Sequence, residues 1–156
     1  MGKTLGQVAQ ARKIHRHEWW LLLRITGMLL ILPILQKMLT LPALLHWCDA
    51  RVVASPCVTP SRLLALVRGV CQPHLGVFRP NCVKQSLVLF HFLRQWGYPV
   101  QMHFGVVKHE RTLAGHCWLE LYGQPFAEPA EPQHVFTVVY SYPERSPAMR
   151  RTTHEQ

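Results

Sequence analysis

Two residues in this chain have the type and setting that thiol chemistry needs. Cys82, in "PNCVKQSLVLFHFLRQWG", falls in the first turn of a segment with helical periodicity, and His116, in "GHCWLELYG", opens a segment with strand alternation. A cysteine at a helix start faces unpaired backbone N–H groups and the positive end of the helix dipole, both of which favour the thiolate. A histidine entering an adjacent strand is placed to share the thiol proton, the usual activation of a sulfur nucleophile. The imidazole then needs an orienting carboxylate or amide. The chain narrows that choice. Its single aspartate, Asp49, lies far upstream, and the carboxylates after the histidine are Glu120, Glu128, Glu131, Glu144 and Glu155. Glu120 shares a strand face with His116 but stands about 13 Å away along an extended strand. Glu128 follows a turn from which it can come back beside His116, and Glu131 is close enough to remain an alternative.

The remaining reactive side chains have plainer readings. Cys48, Cys57, Cys71 and Cys117 lack a helix-start setting and read as packed thiols. Five cysteines without regular spacing argue against a secreted disulfide framework and for a reducing compartment, so a cytoplasmic location is expected. No C-x-x-C and no finger-like His/Cys cluster occurs, so no metal is expected. His91 falls inside the helix and should pack, His103 should be a half-exposed strand residue, and His109 should lie in a loop. Trp118 reads as core and Glu120 as the maker of a structural hydrogen bond.

These residues need elements to position them. The chain of 156 residues suits one domain with a real core, and its apolar share of 49% rules out intrinsic disorder. The net charge of +9 comes from lysines and arginines scattered toward the two ends, without interleaved aromatics, so no nucleic-acid partner is expected. Residues 1–18 form a basic tail. Residues 19–60 are an apolar helical leader whose cleanest run, Trp19 to Leu35, contains Arg24 and Pro33. A basic flank before an apolar stretch resembles a signal peptide, but no small-x-small cleavage site follows directly. The run is short for a membrane span, so the pattern predicts two short helices packed on the domain or lying against a membrane surface, with a single span as the alternative.

Residues 61–142 carry the chemistry. Ser61 is the expected N-cap of a helix with Leu63, Leu64, Val67 and Val70 on one side. Asn81 should cap the helix at Cys82, Gly97 should stop it, and Val83, Leu87, Phe90 and Leu93 should form its buried stripe. "VQMHFGVV" alternates as a strand, "KHERTLAG" reads as a loop, His116 to Tyr122 as a second strand, and "HVFTVVYSY" as a third. Residues 143–156 form a loose polar tail. Helices followed by an antiparallel sheet give an α+β class.

"NCVKQSLVLFHFLRQWGYPVQMHFGV" followed by "AGHCWLELYGQPFAEP" resembles the core of the transglutaminase-like cysteine proteases that act as leader peptidases (B-protein proteases) in lasso-peptide biosynthesis. Cys82, Ser86, Leu87 and Leu89 match the family's C-L-x-R-S-L-A-L. Gly97, Gly105 and Val106 match its G-x-x-x-x-L-x-x-G-V strand. His116, Trp118, Glu120, Gly123 and Pro125 match A-H-A-W-V-E and G-x-P. Val83, Gln85, Gly115 and Cys117 depart from the pattern without removing a catalytic group. The likeness covers about residues 20–140.

The resemblance implies a papain-like α+β core in which Cys82 attacks the leader–core bond of a ribosomally made precursor. It further implies His116 as base and Glu128, twelve positions later, as orienting acid. Gln85 and Trp118 become candidates for substrate contact. The implied partners are the precursor leader, a separate leader-recognition protein, since no leader-recognition domain precedes the helices, and a macrolactam-forming cyclase. No cofactor is implied. A membrane-associated adaptor and a non-catalytic peptide-binding protein of the same complex are the competing readings.

Overall fold

The computed structural model describes residues 16–49, 55–71, 82–109, 112–127 and 136–144. Helix α1 (Arg16–Met38) is apolar on every side. Leu21, Ile25, Leu29 and Leu32 recur at helical spacing and are at most 3% exposed, so this side faces the core. Two helices form, as the pattern predicts, but only α2 (Leu41–Cys48) is short: α1 runs through Pro33 for 23 residues. An interior proline costs about 3 kcal/mol. Burying each of those four side chains recovers roughly 1.5–3 kcal/mol, which outweighs that cost. By length and composition α1 could cross a membrane, although a third of its apolar window is buried against the rest of the protein.

Helix α3 (Pro60–Val70) is capped by Thr59, whose Oγ1 accepts from the Arg62 N–H at 3.3 Å. Ser61 was the expected cap. Pro60 settles the choice, because its fixed φ suits the first helical position and shifts the cap back to Thr59. The buried residues of α3 are Leu63, Leu66 and Val67. Helix α4 (Cys82–Gln95) buries Ser86 through Phe90 together with Phe92 and Leu93, a broader face than one stripe, because it is covered by other helices and by the sheet. It ends as expected at Gly97. The left-handed φ of +76° there lets the Gly97 and Tyr98 N–H groups return to the Arg94 and Leu93 carbonyls.

The sheet is antiparallel with order β3-β2-β1-β4. Strands β1 (Val100–His109) and β2 (Thr112–Leu121) pair from Val100↔Leu121 out to His109↔Thr112. Most of the segment expected to be a loop is therefore strand, and His109 belongs to β1. Strand β3 (Gln124–Phe126), unforeseen in the sequence, returns through Tyr122 and Gly123, both at positive φ, as a tight two-residue hairpin requires. Strand β4 (Thr137–Tyr142) pairs with β1, with a register shift between Phe104 and Gly105.

The helices cover one face of this sheet. Val100, Met102, Cys117 and Leu119 join Leu21, Ile25, Leu45, Leu63, Leu87 and Phe90 in a single cluster, so the apolar leader shares its core with α3, α4 and the strands. Two polar clamps fasten it. Arg62 donates from Nε and Nη2 to the two carboxylate oxygens of Glu18 at 2.8 and 3.0 Å, and Arg94 does the same to Asp49, which also accepts from the Tyr142 hydroxyl at 3.1 Å. Asp49 is thus committed to the scaffold.

Candidate active site

Cys82 stands at the first residue of α4 and is half-buried. Gln85, Ser86 and Leu89 follow it on the same side of the helix and, with Cys82, line a shallow cleft closed by Leu119 of β2 and by Phe126 and Ala127 at the end of β3. One turn along from Cys82, the Ser86 hydroxyl donates to the Cys117 carbonyl at 3.5 Å, which ties α4 to the residue beside His116. The Arg68 guanidinium donates to the Ala127 carbonyl at 2.6 Å, so α3 pins the far wall. Ala127 adopts φ +72°, a conformation costly for an L-residue and held there by these surroundings. Gln85 therefore does lie in the cleft with Cys82.

His116 is half-buried on β2, opposite Gly105 of β1. Alternation along β2 sends Cys117, Leu119 and Leu121 to the face that α4 covers, and His116, Trp118 and Glu120 to the other. The Cys82 cleft is lined by Leu119 of the covered face, and His116 belongs to the other set of the alternation. β3 pairs with residues 119–121 of β2, and α4 reaches the Cys117 carbonyl through Ser86. Glu128 and Glu131 lie outside the described residues. Ala127, which precedes Glu128, lines the cleft.

The face carrying His116 is a stack of rings. His116 lies against Trp118 at 6.1 Å between centroids and 18° between planes, and against Phe136 at 5.2 Å. Trp118 is 1% exposed and stacks in turn on His103 at 5.5 Å. Its ring passes so close over Gly105 that a Cβ there would come within 2.7 Å of it. Trp118 in this position packs as core beneath the histidine. His103 proves buried rather than half-exposed, with Nδ1 2.8 Å from the Ser141 Oγ and Nε2 3.3 Å from the Glu120 carboxylate. The contact brings the Glu120 carboxylate beside the His103 ring, within ion-pair distance and without hydrogen-bond geometry at Nε2. Sequence reading missed this Ser141–His103–Glu120 chain because it depends on which strands pair. The alternation of His103 and Glu120 on their strands was its only local sign.

The other cysteines and histidines are held in quieter settings. Burial pushes the Cys48 thiol up to about 12, and burial also raises Cys71, with partial relief from the Lys84 charge. Cys117 is buried, whereas Cys57 is exposed. His91 packs as expected, with Nδ1 3.1 Å from the Cys48 carbonyl, and burial lowers its pKa below the ordinary value. Among the described residues no group of His, Cys, Asp and Glu side chains could hold a metal ion.

A family model described as the transglutaminase-like superfamily matches residues 22–141. The chain belongs to that superfamily, which includes cysteine proteases. No curated protein and no solved structure matches it.

Proposed function

We propose that this chain is a cysteine peptidase that removes the leader from a ribosomally made lasso-peptide precursor. The observation that carries the reading is the placement of Cys82: a half-buried thiol at a helix N-terminus, lining a cleft with Ser86, whose hydroxyl donates to the carbonyl of Cys117, the neighbour of His116. Membership of the transglutaminase-like superfamily and the lasso-type motifs around Cys82 and His116 support it.

In this mechanism His116 takes the Cys82 proton as sulfur attacks the scissile carbonyl. The Sγ–C bond forms, the C–N bond breaks, and His116 returns the proton to the leaving amine. Water then hydrolyses the thioester, regenerating the thiol and releasing a carboxylate. The Cys82 backbone N–H is the natural donor to the oxyanion. Glu128 orients the imidazole, with Glu131 as its alternative, and Gln85 contacts the substrate from the cleft wall. A separate recognition protein presents the leader as an added strand, and a cyclase closes the macrolactam on the released core.

The test is cleavage of a lasso-type precursor by the purified chain together with its recognition protein, followed by mass spectrometry. Leader and core should appear as separate masses with wild type and with Cys57→Ala, and neither should appear with Cys82→Ala. Normal cleavage by Cys82→Ala would exclude the mechanism. The broad exposed apolar side of α1 favours a second reading, a non-catalytic adaptor. Under that reading Cys82→Ala would leave the pathway's output unchanged.

A further inference from the structure

We infer that α1 lies in the plane of an anionic membrane surface and holds the protein there. The helix has two apolar sides. One is spent in the core. The other presents Trp20, Leu23, Ile31, Ile34 and Met38 at exposures of 47–77%, along its whole length. Trp19 and, on α2, Trp47 are exposed as well. Such a stripe on a water-soluble surface costs free energy unless something covers it.

Charge identifies the cover. From residue 1 to residue 48 the sequence carries Lys3, Arg12, Lys13, Arg16 and Lys37, besides Arg24, which is turned onto Phe92 and Gln95 of α4, against one acid, Glu18. Glu18 is buried and already neutralised by Arg62. An apolar stripe with indoles and flanking cations is the composition that seats a helix at the level of anionic headgroups. A second copy of the chain fits worse, because two copies meeting across this stripe would bring like charges together.

The packing also fixes the orientation. A helix that crossed the bilayer would have to withdraw Ile25, Leu29 and Leu32 from the core and pull Glu18 from Arg62. Lying in the plane, it keeps these contacts and gives only its outer side to lipid. This inference is independent of the peptidase reading.

The test uses the full chain and sedimentation with vesicles of phosphatidylcholine alone or with added phosphatidylglycerol. Binding should be at least about tenfold tighter to the anionic vesicles and should weaken as salt is raised. The double variant Ile31→Ser, Ile34→Ser, both exposed positions, should lose at least about tenfold in binding while melting like wild type. Alkaline carbonate should release the bound protein. Equal binding to both vesicles, resistance to carbonate, or a stable dimer that binds neither vesicle would each overturn the inference.

Discussion

Replacing Gly105 by alanine tests the account of the His116 face through a single methyl group. The added Cβ would lie 2.7 and 2.9 Å from two atoms of the Trp118 ring and 2.8 Å from the Phe136 Cβ. Neither neighbour can yield cheaply: Trp118 is 1% exposed and is stacked between His103 and His116. Overpacking of this kind costs about 1–3 kcal/mol, which for a chain of this length lowers the melting temperature by roughly 2–12 °C. Gly69, inside α3, is the control. A Cβ there meets nothing within 4 Å, so Gly69→Ala should gain about 0.5–1 kcal/mol from helix propensity. Urea denaturation of both variants reads the difference. Because the Trp118 ring carries His116, Gly105→Ala should also slow precursor cleavage, whereas Gly69→Ala should not. A Gly105→Ala protein as stable as wild type would mean that Trp118 does not sit over Gly105, and the ring stack would have to be abandoned.

Other perturbations have equally definite signs. Glu18→Gln removes the charge that meets both Arg62 nitrogens, and with the Arg62 side chain 23% exposed the loss should be about 1–3 kcal/mol by chemical denaturation. The Cys48 thiol, raised by burial from 9.0 to about 12, makes stability depend on alkaline pH. Its contribution is complete below 9, where the unfolded thiol is also protonated, and is lost as pH rises from 9 toward 12, by at most about 4 kcal/mol. Cys48→Ala should therefore flatten the stability profile across that window, as measured by urea titrations at successive pH values. The same burial should leave Cys48 unmodified by iodoacetamide in the native protein at neutral pH, and its prompt labelling would contradict the packing of α2 on α4.

Much of this architecture is written locally. The helix at Cys82 announces itself by apolar spacing and by Gly97, whose left-handed φ ends it. The first part of β1 and the last part of β2 follow from alternation, whereas 108–109 and 112–115, expected to be loop, are strand through the pairing of β1 with β2. The parts that are not legible depend on partners distant in the chain. The leader reads as short helices until the burial of Leu29 and Leu32 on the core, which carries α1 through Pro33, is counted. His103 looks half-exposed until Ser141 of β4 and Glu120 of β2 are brought to either side of it. β3 is too short to show a period, and its identity rests on pairing with Leu119 to Leu121. The candidate site divides in the same way. Residue type and setting single out Cys82 and His116, but only the packing of α4 on β2 shows that the Ser86 hydroxyl, one turn past Cys82, is bonded to the carbonyl of Cys117, the neighbour of His116.

The central claim is that Cys82 and His116 act as one unit, and the most direct measurement is the rate of iodoacetamide labelling at each cysteine. It is read by peptide mass spectrometry at mildly acidic pH in wild type and in His116→Ala. The account predicts that Cys82 is labelled well ahead of the exposed Cys57 in wild type and that His116→Ala abolishes this lead. Equal labelling of Cys82 and Cys57, or a lead that survives the loss of His116, would contradict it.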